Sequence, residues 1–129
     1  MSKKVLVVDD DPDVRSFVVT VLEENGYIPL VAHDGVEGLE KIQADQPDLV
    51  ILDVLMPRGS GIRLYRHLKT DEALKDLPVI MFTGIALRSF LKSQKALEEF
   101  NGEVPKPDIY LEKPVEPEEL VRAIETKIG

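Results

Sequence analysis

Apolar positions along this chain follow two alternating patterns. Short aliphatic runs occur at 4–8, 27–32, 49–52, 79–82 and 109–112. Each is too short for a helix and is bounded by Pro, Gly or Asp, which fits a strand. The run Leu49, Val50, Ile51, Leu52 lies between Pro47 and Pro57 and is aliphatic at every position, as expected of a parallel strand covered on both faces. Between the runs, apolar residues recur at helical spacing. Val14, Phe17, Val18, Val21 and Leu22 predict a first helix, capped by Asp11, opened by Pro12 and stopped at Gly26. A second helix capped by Asp34 carries Val36, Leu39 and Ile42 inward, and Gly38 within it costs up to about 1 kcal/mol relative to alanine. A third, capped by Ser60, turns Leu64, Tyr65 and Leu68 inward. A fourth carries Leu87, Phe90, Leu91, Leu97 and Phe100 and closes at Asn101 and Gly102, with an irregular loop over 103–107. Pro117 opens the last, with Leu120, Val121, Ile124 and Ile128 on one side.

Five strand–helix units in strict alternation predict an α/β fold: a five-stranded parallel sheet, order 2-1-3-4-5, doubly wound with five helices in the flavodoxin-like manner. The expectation is one domain over 1–129, without internal repeats. In that order the first and third strands are neighbours, and ligands bind in the crevice beyond their carboxyl ends. Asp9 and Asp10 follow strand one, Asp53 ends strand three, Thr83 follows strand four and Lys113 follows strand five. Strand two lies at the edge and contributes nothing.

Three carboxylates against one ammonium are unfavourable unless protons or a cation compensate. Magnesium prefers oxygen ligands and commonly takes one or two carboxylates plus a phosphate, which suits Asp10 and Asp53. Asp53 then becomes a candidate carboxylate nucleophile toward phosphorus, with Lys113 and the Thr83 hydroxyl holding phosphoryl oxygens. Each residue also has a plainer reading: Asp11 as a helix cap, Asp53 as a turn residue, Lys113 as a surface charge, Tyr110 as strand packing. Their joint placement at one sheet edge favours a site. His33 and His67 are remote in sequence and read as surface residues.

The 129 residues carry 16 Lys and Arg against 24 Asp and Glu, a net charge of -8, which opposes direct nucleic-acid binding and favours a protein partner or a cation. The chain has no cysteine, which excludes disulfides and thiolate metal sites. No apolar run approaches membrane-spanning length, so a cytoplasmic protein without membrane insertion is expected.

The segments Val7-Val8-Asp9-Asp10-Asp11, Asp34-Gly35, Leu52-Asp53-Val54-Leu55-Met56-Pro57 with Gly61, Phe82-Thr83-Gly84 and Tyr110-Leu111-Glu112-Lys113-Pro114 together resemble the CheY-like receiver domain of a two-component response regulator, over essentially the whole chain. The resemblance implies that Asp53 accepts a phosphoryl group from a sensor histidine kinase or phosphotransfer protein. It implies that Asp9, Asp10, Asp53 and the Leu55 carbonyl position Mg2+, and that Thr83 and Tyr110 are switch residues. It further implies that Lys113 pairs with the phosphate, that the Lys113–Pro114 bond is cis, and that the output is binding of a downstream protein rather than turnover of a separate substrate.

Two features are particular to this chain. Leu55 and Ile85, two residues past Asp53 and Thr83, are aliphatic and are expected to impede hydrolysis of the phosphorylated form. The interval from Thr83 to Lys113 exceeds the family pattern by roughly two helical turns, which calls dimerisation through the fourth and fifth helices into question and makes 103–107 a candidate partner site. The oligomeric state stays open. Rival readings are an interaction module of the same fold that works without phosphorylation, and a flavin-binding carrier, whose phosphate cradle three aspartates would repel.

Overall fold

The computed structural model describes residues 2–92 and 106–129. Its elements run β1 (Lys4–Val8), α1 (Pro12–Glu24), β2 (Ile28–Ala32), α2 (Gly35–Asp45), β3 (Leu49–Leu52), a 3-10 turn (Pro57–Gly59), α3 (Ser60–Thr70), β4 (Val79–Thr83), α4 (87–92 among the described residues), β5 (Ile109–Glu112) and α5 (Pro117–Ile128). The strands form one parallel sheet in the order β2-β1-β3-β4-β5, as the alternation of elements predicts. Leu97, Phe100, Asn101, Gly102 and the first three residues of the 103–107 loop lie outside the described residues. Among the described residues no helix is long and apolar enough to cross a membrane.

The period-two geometry of a strand sorts each aliphatic run into two cores. Leu6, Val8, Val50, Leu52, Val79 and Met81 face α2, α3 and α4, where Ile42, Leu64, Tyr65, Leu68 and Phe90 meet them. Val5, Val7, Leu49, Ile51, Ile80 and Phe82 face α1 and α5, against Val18, Val21, Leu22, Leu120 and Ile124. At roughly 1.5 to 3 kcal/mol for each fully buried aliphatic side chain, these two layers carry most of the stabilisation.

The helix starts follow their caps in two cases. The Asp11 carboxylate accepts the Asp13 N–H at 2.9 Å, and Asp34 accepts the Glu37 N–H at 2.8 Å. Ser60 departs from the expected cap. Gly59, at φ 65°, occupies the cap position, and the Ser60 hydroxyl instead accepts the Gly35 N–H at 3.3 Å, because the turn at Pro57–Gly59 brings α3 in one residue earlier. Val36 also departs: it is 69% exposed, since α2 turns Gly35, Gly38 and Ile42 toward the core.

Glycines decide how closely α2 and α3 approach the sheet. A Cβ on Gly35 would stand 2.2 Å from the Ser60 carbonyl oxygen, and one on Gly38 would stand 2.9 Å from Leu64 Cδ2 and 3.1 Å from Val8 Cγ2. The helix-propensity cost of Gly38 is therefore offset by packing that a side chain would obstruct.

Candidate functional site

Strand register places the polar residues before any side-chain contact is considered. Val8 pairs with Leu52, so Asp9 and Asp53 leave the sheet side by side, and the Asp53 N–H donates to the Val8 carbonyl at 3.0 Å. Thr83 pairs with Glu112, and the Lys113 N–H donates to the Thr83 carbonyl at 2.8 Å. Asp9, Asp53, Thr83 and Lys113 thus meet at one edge of the sheet, across the point where the strand order reverses.

Side chains complete the cluster. Lys113 Nζ donates to Asp9 Oδ2 at 2.8 Å and to Asp53 Oδ2 at 3.0 Å, and stands 5.4 Å from the centroid of the Phe82 ring. Asp53 Oδ1 accepts the Leu55 N–H at 2.8 Å, and Asp9 Oδ1 accepts the Asp11 N–H at 2.9 Å. Asp9 and Asp53 are buried, whereas Asp10 is exposed. Burial pushes the Asp9 carboxyl above its ordinary value, against the opposing pull of Lys113 and the Asp11 N–H, and the Asp53 charge adds to the rise. For Lys113 burial opposes the ammonium, but the bonds to Asp9 and Asp53 overcome it and hold its pKa above the ordinary lysine value.

Asp9, Asp10 and Asp53 each present a carboxylate oxygen within 4.8 Å of the others, a group that could hold a metal ion. The donor set fits Mg2+: every ligand atom is a hard oxygen, and the exposure of Asp10 leaves one side open for waters and a phosphate. Thr83 adds an independent sign of a missing partner. It is fully buried, yet its hydroxyl has no hydrogen-bond partner among the described residues. A buried unpaired hydroxyl costs about 1 to 3 kcal/mol, so the site lacks an acceptor that a bound oxyanion would provide.

Tyr110 lies away from the carboxylates, on the α4 side of β5. Its hydroxyl donates to the Ile85 carbonyl at 2.5 Å, and its ring centroid is 5.4 Å from that of Phe90. Burial, then the charges of Glu112 and Asp53, push its phenol up to about 12. The Lys113–Pro114 bond is cis. Leu55 touches the site through its backbone N–H on Asp53, but the residue is 62% exposed, and Ile85 meets Tyr110 through its carbonyl. His33 and His67 are exposed, and their nearest charged partners, Asp34 and Glu37 for one and Asp71 for the other, lie on the surface.

Two participants escape sequence reasoning. Arg15 Nη1 donates to the Asp9 carbonyl at 2.8 Å, fixing the acidic loop from the second turn of α1. At the opposite end of the sheet, Asp108 accepts the Val79 N–H at 2.9 Å and Lys69 Nζ at 3.1 Å, with Lys127 Nζ at 3.6 Å, and so ties α3, β4, β5 and α5 together. Neither residue sits in a motif; the only prior sign was a charge next to an element end.

The fold and the site together define a class: a doubly wound parallel sheet with three acids, a buried hydroxyl and a lysine at its switch point. The comparisons with known proteins make the family explicit: residues 5–125 match the response regulator receiver domain, and the chain belongs to that family as the receiver domain of a two-component response regulator. It is 35% identical over 124 residues to the phosphate regulon transcriptional regulatory protein PhoB of Escherichia coli K12, covering 96% of this chain and 51% of that protein. It is 40% identical over 121 residues to the response regulator MprA of Mycobacterium ulcerans, covering 94% and 48% respectively. The chain thus spans about half the length of these relatives. Among solved structures, the chemotaxis protein CheY4 of Vibrio cholerae superposes with a TM-score of 0.83 at 29% identity, covering 98% of this chain and 99% of that one.

Proposed function

We propose that residues 1–129 act as one receiver unit whose Asp53 accepts a phosphoryl group from a phosphohistidine on a sensor histidine kinase or phosphotransfer protein. The observation that carries this reading is the pairing of Lys113 Nζ with both Asp9 and Asp53 beside the unpartnered Thr83 hydroxyl. An Asp53 carboxylate oxygen attacks phosphorus; the O–P bond forms as the N–P bond breaks, the N–P electron pair stays on nitrogen, and the imidazole, already protonated on its other nitrogen in the phosphohistidine, leaves as a neutral ring. Asp9, Asp10, Asp53 and the Leu55 carbonyl would hold Mg2+, which would supply positive charge for the phosphoryl oxygens. Lys113 holds one of those oxygens, and the Thr83 hydroxyl donates to another and loses its unpaired state.

The modification adds about -1.5 to -2 charge. It pulls Thr83 inward and, through the adjoining segment that carries Ile85 and the Tyr110 hydroxyl bond, biases the face presented by α4 and β5 to a downstream protein. The chain catalyses only its own phosphorylation and dephosphorylation. It works in the cytoplasm, and its net charge of -8 directs it to protein rather than nucleic acid. Its matched relatives include a transcriptional regulatory protein of about twice the matched length.

The test is mass spectrometry of native and Asp53→Asn proteins after incubation with acetyl phosphate and Mg2+, with and without chelator. The native protein alone gains one phosphoryl group, and only with the metal. A gain of equal size in Asp53→Asn assigns the acceptor elsewhere. No gain from acetyl phosphate or from a panel of phosphorylated kinases favours a module that works without phosphorylation.

A further inference from the structure

We propose that the groove between α2 and α3 is an interface between two copies of this chain, related by a two-fold axis that runs along the groove. A cavity of about 290 Å³ opens there, with Leu39 and Leu64 at its floor and Val36, Glu40, Arg63 and His67 among its walls. Val36 is the most exposed large apolar side chain among the described residues. An amphipathic helix gains nothing from valine on a solvated face, where β-branching only lowers helix propensity.

The charges on the two walls favour a second copy as the occupant. Glu40 stands on α2 and Arg63 on α3, both exposed, and neither has an ion-pair partner among the described residues. An acidic peptide would meet Arg63 on one wall and be repelled by Glu40 on the other. A surface carrying both signs in the same arrangement suits both walls, and the chain itself provides one. α2 and α3 both follow strands of one parallel sheet, so they run in the same sense, and Glu40 and Arg63 line the same cavity. Rotation about an axis along the groove therefore lays α2 of one copy over α3 of the other. Each Glu40 then faces the second copy's Arg63, twice by symmetry, and the Val36 side chains cover the apolar floor, as an isologous contact requires.

This groove excludes Asp9, Asp53 and Lys113, so the pairing is independent of phosphoryl transfer. It also differs from association through α4 and α5, on which the long interval after Thr83 bears.

Sedimentation equilibrium of the native protein, from micromolar to near-millimolar concentration, tests the proposal. The expected result is a concentration-dependent dimer. Arg63→Glu and Glu40→Arg each weaken it by about tenfold or more, because each places like charges at both symmetric contacts. The double variant Glu40→Arg/Arg63→Glu restores it by re-forming both pairs with the signs exchanged. Val36→Asp abolishes it. All three positions are exposed, so the variants keep the native unfolding midpoint, which circular dichroism in urea checks. A native protein that stays monomeric throughout, or a dimer that neither single variant weakens, or a double variant no better than the singles, overturns the proposal.

Discussion

Gly61→Ala is the most demanding test of the way this site is built. A Cβ at this position would lie 2.2 Å from the carbonyl oxygen of Asp53, 2.8 Å from Val54 Cα and 3.1 Å from Met56 Cε, where ordinary contacts begin at 3.4 Å. Alanine is favoured over glycine in a helix by up to about 1 kcal/mol, but Gly61 is only the second residue of α3, so that gain is partial. Against it stands overpacking, which costs about 1 to 3 kcal/mol when side chains can yield. Here the obstacle is backbone on the strand end that carries Asp53. The first turn of α3 must retreat by about 1 Å, and a net loss of about 2 to 3 kcal/mol follows. Gly38→Ala is the control, because its Cβ meets only the ends of the Leu64 and Val8 side chains. Its helical gain nearly cancels the crowding, for a net loss below about 1 kcal/mol. Urea unfolding of both variants at pH 7 gives the two values, and acetyl phosphate labelling reports whether Asp53 has been displaced. A Gly61→Ala protein at least as stable as the native one, or less damaged than Gly38→Ala, refutes the close-approach argument.

Other perturbations follow from the same structure. Ile51→Ala, at a side chain 1% exposed in the α1 and α5 layer, lowers stability by about 2 to 5 kcal/mol in urea; a near-native midpoint places Ile51 outside the core. Two acids have opposite linkage to pH. Burial holds the folded Asp9 carboxyl above 3.8, so the stability it contributes below that pH is lost as pH rises through the raised value. Asp9→Asn therefore raises the urea midpoint at pH 7, and the difference closes toward pH 3; a lower midpoint at pH 7 contradicts this. Asp108 is opposed by burial, but the Val79 N–H, Lys69 and Lys127 bring its carboxyl below 3.8, so it stabilises above that pH and fails as pH falls through the lowered value. Asp108→Asn strands Lys69, whose side chain is 7% exposed, and costs about 2 to 3 kcal/mol at pH 7, an expectation that an unchanged midpoint defeats. For the phosphorylated protein, Leu55→Asn accelerates decay of the phospho-signal by admitting water, and an unchanged decay rate removes Leu55 from that role.

Much of the architecture was determined by local sequence. Alternating aliphatic runs and helical spacings fix element type because side-chain direction repeats every two residues in a strand and every 3.6 in a helix. The strict alternation of those elements left a parallel sheet as the natural solution, and with it came the meeting of Asp9, Asp53, Thr83 and Lys113 at one edge. Asp11 and Asp34 were legible as caps because the N–H groups they satisfy are two or three residues away.

Tertiary structure decided what depends on approach between segments distant in sequence. Ser60 has the right chemistry for a cap, but packing against Gly35 gives its hydroxyl another donor. Val36 fits the helical period, but the rotation of α2 over Gly38 turns it outward. Arg15 on the Asp9 carbonyl and Asp108 among Lys69, Lys127 and the Val79 N–H are side chains reaching across elements, and no local pattern encodes such contacts. The hydroxyl of Thr83, buried and without a partner among the described residues, is of the same kind. Sequence placed it after a strand; only the assembled sheet and helices removed water from around it.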